Sequence, residues 1–179
     1  DRVHGGYLEV MSPDWRPCTD MRLSDKDMNV AKSMNNHLHI LEAYTGLLRA
    51  SPDPAVANRL RDLIDLFRRH ILNAEQTHLQ HFFDETWTPQ SDSYTFGHDV
   101  EGSWLLCEAA ETLKDTQLQA EVRDVAIRMT RAALDEGLDA DGGLLYEARG
   151  GQIINPNKEW WPQAEAVVGF FNAWQLTGD

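Results

Sequence analysis

Between residues 29 and 49 the apolar positions Val30, Met34, Leu38, Leu41 and Leu48 recur at the spacing that gathers them on one face of an amphipathic helix. Ser24, three residues before Asp27, marks a start for it. A second helical pattern runs over residues 54–73, with Val56, Leu60, Leu63, Phe67 and Ile71 on one face and Arg61, Arg68 and Arg69 largely elsewhere, as in a solvent-facing helix. Residues 98–114, 118–137 and 159–176 repeat the pattern, the middle stretch setting its charges opposite Leu118, Val122, Val125 and Met129. Between these helices, residues 4–15, 79–87 and 143–154 carry turn and strand signals and predict small hairpins. The first contains Gly5-Gly6-Tyr7-Leu8-Glu9 and the last Gly142-Gly143-Leu144-Leu145-Tyr146-Glu147, a weak echo that reads as an internal repeat.

The repeating unit is hairpin, inner helix, outer helix. Stacked around an axis, such units form an all-α toroid, (α/α)6 when closed, with the inner helices around a cavity. A closed ring of six pairs needs about a dozen helices at roughly 30 to 35 residues each with their connections. About five are predicted here. Residues 1–179 are therefore expected to form one partial α/α-barrel domain, the central part of a longer chain, and the opening at Asp1 suits a fragment.

Composition narrows the partners. A net charge of −13 and a pI near 4.8 argue against a surface that gathers phosphates, so no nucleic acid is expected. No run approaches the ~20 apolar residues needed to span a bilayer, and no charged-then-apolar leader opens the chain. It reads as cytoplasmic, without a membrane partner. Cys18 and Cys107 are too few for a disulfide framework, and Cys107, inside Trp104-Leu105-Leu106-Cys107, is expected to be a buried thiol. The six tryptophans suit core filling and the stacking of sugar rings alike.

Three places could carry chemistry. In the first inner helix Asn35, His39, Glu42 and Gly46 form a polar stripe at i, i+4, i+7 and i+11, the mark of a helix that lines something wet. His37, two residues from His39, turns about 200° away, so the two cannot share a metal, and no metal or cofactor is expected. At the start of the third helix His98 and Glu101 lie one turn apart, where a carboxylate can orient an imidazole; Asp99 fits the milder role of an acid favoured by the helix dipole. The fifth helix opens Glu159-Trp160-Trp161-Pro162-Gln163-Ala164-Glu165. One of the adjacent tryptophans is expected to pack in a seam with Val167, Phe171 and Trp174, and the other to face the cavity with Glu165. A lone histidine in such positions is as readily a core or surface residue.

The stretches Asn36-His37-Leu38-His39-Ile40-Leu41-Glu42-Ala43-Tyr44, Gly97-His98-Asp99-Val100-Glu101 and Asn157-Lys158-Glu159-Trp160-Trp161-Pro162-Gln163-Ala164-Glu165-Ala166 resemble the N-acylglucosamine 2-epimerase family, and within it the cellobiose 2-epimerase branch. The resemblance implies an α6/α6 barrel that needs no metal and acts on an open-chain aldose. It implies that His98 is an acid/base group at the reacting carbon and that His39 is a second essential histidine near the sugar carbonyl. Asn35 would hold a hydroxyl or the carbonyl oxygen, Glu101 would support His98, and Glu147 and Trp161 would hold the sugar. A further family histidine, and an arginine and a tyrosine from earlier helices, have no counterpart here.

Such an enzyme opens the sugar ring, abstracts the C2 proton to an enediolate and returns the proton to the opposite face. Imidazoles suit the task because they titrate near neutrality. Return of the proton to C1 instead would make a ketose. A glycoside hydrolase using Glu101, Glu147 and Glu165 is the enzymatic rival; a non-catalytic fragment that self-associates through uncovered inner helices is the other.

Overall fold

The computed structural model describes all 179 residues except Leu23, Ser24, Lys26 and Asp27, so the helix start expected at Ser24 lies outside the described residues. Helix α1 spans Met34–Ala50, later than the apolar spacing suggests, because Lys32–Ser33 form a short strand, β1. Ser33 then caps the helix, its hydroxyl accepting the Asn36 N–H at 3.2 Å. Helix α2, Pro54–Leu66, begins with a proline in the first turn and the Asp53 carboxylate on the Ala55 N–H, two signals of a helix start. Its continuation widens into a π turn, Phe67–Ile71, closed by the Leu72 N–H on the Phe67 carbonyl at 2.8 Å. That turn keeps Phe67 and Ile71 both fully buried.

Strand β2, Phe82–Phe83, pairs antiparallel with β1, Lys32 standing opposite Phe83, and the chain after it folds back through a tight turn that bridges Phe83 to Pro89. Strand β3, Ser93–Thr95, leads straight into helix α3, Phe96–Leu113. Helix α4 spans Thr116–Gly137, capped by Asp115. Strands β4, Glu147–Arg149, and β5, Gln152–Asn155, make the expected hairpin, with β3 on the other side of β4. Helix α5, Trp160–Thr177, ends the chain. Residues 4–15 hold only an isolated bridge from Met11 to Pro17. They are docked instead through hydrogen bonds: the Ser33 N–H donates to Glu9 Oε1 at 2.7 Å and the Tyr7 N–H to His37 Nε2 at 2.9 Å. Gly6 permits this approach, since a Cβ there would stand 2.5 Å from the Trp87 ring and 2.7 Å from His37 Nε2.

Helix α3 packs between α1 and α5, with α2 and α4 behind this layer. The architecture is that of a partial (α/α)6 toroid, with α1, α3 and α5 as inner helices and α2 and α4 as outer ones. The main core joins Leu38 and Leu41 of α1, Leu60, Leu63 and Phe67, Leu105 and Leu106 of α3, and Met129 of α4. A smaller one gathers Phe96, Val100, Ala133, Leu144 and Ala148 beneath the three-stranded sheet.

The seam of α5 differs from the sequence expectation. Its buried residues are Pro162, Ala166 and Gly169. Gly169 lies so close to α3 that a Cβ would sit 2.7 Å from the Val100 carbonyl oxygen. Val167, Phe171 and Trp174 are exposed, the last two stacked on each other at 5.6 Å, and Trp160 is 81% exposed. Backbone proximity between two inner helices requires small residues at the contact, and the larger apolar side chains are turned to the other face. No helix among the described residues is long and apolar enough to cross a membrane.

Candidate functional site

Asp99 organises the site from behind. Fully buried in the first turn of α3, it accepts the Leu79 N–H at 2.7 Å and pairs with His78 Nδ1 at 2.8 Å. His78 stacks on Tyr94 at 3.8 Å, and Tyr94 donates to Glu136 of α4 at 3.0 Å. Burial alone would lower the pKa of His78, but the hydrogen bond and charge of Asp99, with Glu136 beyond, outweigh it and leave it raised. The role is therefore more than the dipole-complementing acid expected of Asp99: it fastens residues 78–83 to the start of α3. The Met34 N–H, donating to the His81 carbonyl at 2.8 Å, fastens the same segment to the start of α1.

These ties bring His81 edge-on to His98, ring centroids 5.5 Å apart. Both line a hollow of about 490 Å³ together with Asn35, Thr95, Tyr146 and Glu147, within the range of small-molecule sites, about 300 to 1,000 Å³. Glu147 is delivered by strand pairing, opposite Thr95. Glu9 lines the hollow too, so the two glycine-led stretches each contribute a glutamate to it. A wider hollow, about 880 Å³, lies between residues 1–7 and α2; its Arg59 and Arg69 are already paired with Asp62 and Asp65.

Burial pushes the His98 pKa down to about 3, helped by His81 and His39, and that of His81 down to about 4. Both rings are neutral near pH 7, the form in which one nitrogen is a base. The group holding His98 is Thr95, not Glu101: Thr95 Oγ1 lies 2.5 Å from His98 Nδ1, and among the described residues no hydrogen bond joins Glu101 to that ring. Glu101 is half-buried and faces other carboxylates. Burial, then Glu165 and Glu42, raise its pKa to about 7, while Glu165 accepts the Trp104 indole N–H at 2.9 Å.

The six residues singled out from sequence therefore divide. Asn35, His98 and Glu147 line the hollow. Trp161 packs on His98, centroids 4.9 Å apart, over Gly97, where an added Cβ would meet its ring at 2.7 Å. His39 and Glu101 stand outside that lining: the His39 side chain is 58% exposed and lies 3.4 Å from Glu42, yet near enough to His98 to lower its pKa. The stripe Asn35, His39, Glu42 and Gly46 is exposed throughout. His37 points away from it, buried, with Nδ1 donating to the Ser33 carbonyl at 2.6 Å. A trio that could hold a cation, Asp1, His4 and Glu85, lies outside this hollow, and its Asp1 carboxylate already holds the Lys32 ammonium at 2.9 Å.

The family model for N-acylglucosamine 2-epimerase (GlcNAc 2-epimerase) matches residues 8–179. The chain belongs to this family. It is 45% identical over 180 residues to a cellobiose 2-epimerase of Bacteroides fragilis, covering all of this chain and 46% of that protein. Among solved structures, a sugar epimerase from a ruminal bacterium superposes with a TM-score of 0.90 at 34% identity, over 97% of this chain and 44% of its own. The cellobiose 2-epimerase of Spirochaeta thermophila gives 0.82 at 38%, over 100% and 44%. The chain thus spans about half the length of these family members.

His81 and Thr95 were not singled out from sequence. His81 sits in Leu79-Gln80-His81-Phe82-Phe83, where alternation marks it only as a polar strand position. Thr95 precedes the third helix as an ordinary N-cap would. The one anomaly, a capping residue whose side chain makes no cap bond, is visible only in three dimensions.

Proposed function

We propose that these residues form one wall of a sugar 2-epimerase site acting on the reducing end of an aldose, such as cellobiose or a related hexose. The observation that carries the reading is a half-buried His98, held at Nδ1 and opening with Asn35 and Glu147 onto one hollow.

In the open-chain sugar the aldehyde acidifies the C2–H bond. His98 Nε2 takes that proton, and the electron pair moves into an enediolate whose oxygen needs donors. Asn35, in the same hollow, is one candidate, with His39 further along the same helix, and a well-placed donor contributes about 3 to 4 kcal/mol. Glu147 and the Trp161 ring hold the rest of the sugar, and Glu101, poised near neutrality, can give or take a hydroxyl hydrogen bond. Return of the proton to the opposite face needs a second acid beyond the plane, or rotation of the intermediate past His98. Hydrolysis by paired carboxylates would leave two half-buried imidazoles without a task. A closed ring needs more helix pairs than this chain supplies, so we read it as the central part of a longer domain. The exposed face of α5, with Val167, Phe171 and Trp174, then meets further helices or a second copy. A cytoplasmic setting fits the two free thiols.

The test is loss of deuterium exchange at C2 of cellobiose, followed by proton NMR in heavy water, on changing His98→Ala in a full-length enzyme carrying these residues. Exchange at an undiminished rate would remove His98 as the base.

A further inference from the structure

Thr95 stands at the N-cap of α3, extended at φ −118°, ψ 133°, yet its side chain makes no cap hydrogen bond. Ser, Thr, Asp and Asn are favoured at that position because their oxygen satisfies a free helix N–H, a contribution of about 1 kcal/mol. Here the hydroxyl is turned aside to two imidazoles. It lies 2.5 Å from His98 Nδ1 and, more loosely, 3.4 Å from His81 Nε2. Among the described residues it has no other hydrogen-bond partner, and neither has His98 Nε2.

A hydroxyl carries a single hydrogen, and this restricts the two rings jointly. If Thr95 donates to His81 Nε2, it must accept from His98 Nδ1–H. Both rings then bear their hydrogen on Nδ1, and His98 Nε2 is a bare base. If Thr95 donates to His98 Nδ1, it must accept from His81 Nε2–H. Both rings then bear their hydrogen on Nε2, and His98 presents a donor. Burial keeps both rings neutral, so each must adopt one tautomer or the other.

We propose that His81 is a positioning residue which, through the Thr95 hydroxyl, sets the tautomer of His98 and so decides whether Nε2 meets a ligand as base or as donor. The relay itself is independent of what the hollow binds; its catalytic meaning rests on the epimerase reading. In that reading the paired Nδ1–H state is the proton-accepting one. When C2–H breaks and its proton bonds to His98 Nε2, the Nδ1 hydrogen can pass to Thr95 Oγ1 as the hydroxyl hydrogen passes to His81 Nε2. The positive charge then rests on the His81 ring, and no atom is gained or lost.

The experiment is ¹⁵N NMR of the histidine rings in this chain at neutral pH, where a bare ring nitrogen and an N–H nitrogen resonate far apart. The tautomer populations of His81 and His98 are expected to match. Thr95→Val is expected to abolish the match and shift the His98 nitrogens, Thr95→Ser to retain it, and His81→Phe to shift the His98 nitrogens with the fold intact by circular dichroism. Opposite tautomers in the wild type, or a His98 spectrum unmoved by both Thr95→Val and His81→Phe, would overturn the relay. His81→Gln, which keeps polar atoms in the place of the ring, supplies the readout should the phenylalanine variant fail to fold. In a full-length enzyme, His81→Phe is expected to lower kcat for C2 exchange at least 10-fold with KM little changed, whereas a simple packing defect would alter both. Matched tautomers without any sugar exchange would retain the relay and sink the epimerase reading instead.

Discussion

Replacing Gly97 by alanine tests how closely the site depends on the packing of α5 against the start of α3. The added Cβ would stand 2.7 and 2.8 Å from two carbons of the Trp161 ring and 2.9 Å from Pro162 Cβ. Ordinary carbon contacts lie at about 3.5 to 4.0 Å, so the indole must retreat by about 1 Å. Overpacking of this kind costs about 1 to 3 kcal/mol. The gain from removing a glycine is smaller here than in a helix interior, because Gly97 is the second residue of α3. We expect a net loss of about 1 to 2 kcal/mol, which at a urea dependence of about 2 kcal/mol per molar lowers the unfolding midpoint by about 0.5 to 1 M. Circular dichroism during urea titration measures it. Since the ring rests on His98 at 4.9 Å, the His98 imidazole resonances should move as well. Gly46→Ala is the matched control: that position lies inside α1 with nothing within 4 Å of an added Cβ, so stability should rise by about 0.5 to 1 kcal/mol. If Gly97→Ala raised the midpoint as Gly46→Ala does, with His98 unmoved, the close-packed reading of the α3–α5 contact would be wrong.

Two further outcomes follow from the buried polar groups. His37, His81 and His98 are held by burial at folded pKa values of about 4, 4 and 3, below the unfolded value near 6.5. Their contribution to stability is therefore present above pH 6.5 and lost as pH falls toward 4, by up to about 1.4 kcal/mol per pH unit for each ring. His78 is shifted upward, so its contribution disappears only as pH rises. Thermal melts between pH 7 and 4.5 should show a steep decline, and a flat profile would mean the rings are not buried neutral. Asp99→Ala should cost about 3 to 5 kcal/mol by stranding His78 and the Leu79 N–H, roughly 6 to 20 °C in Tm; Asp99→Asn, which keeps an acceptor, should lose less.

The helices were legible because apolar spacing reports burial directly: Leu60, Leu63, Phe67 and Ile71 are all fully enclosed. The strands were less so. Phe82–Phe83 finds its partner fifty residues upstream, which no local pattern encodes. The site was half legible. His98, Asn35 and Glu147 share one hollow, but Glu101, one turn from His98, turns toward the carboxylates of α1 and α5 instead. Helical spacing states which residues share a face, not which neighbour will occupy it. The exposed Val167, Phe171 and Trp174 fail for the same reason, since an all-round apolar helix does not declare which side is inward.

The widened turn at Phe67–Ile71 accommodates one residue more than a regular helical path would. Deleting a single residue there should let the backbone tighten into a regular helical turn while the segment bearing His78 and His81 keeps its heading. Identity, rather than length, is thus what those five positions must keep, since Phe67 and Ile71 fill the core whether the turn is wide or narrow.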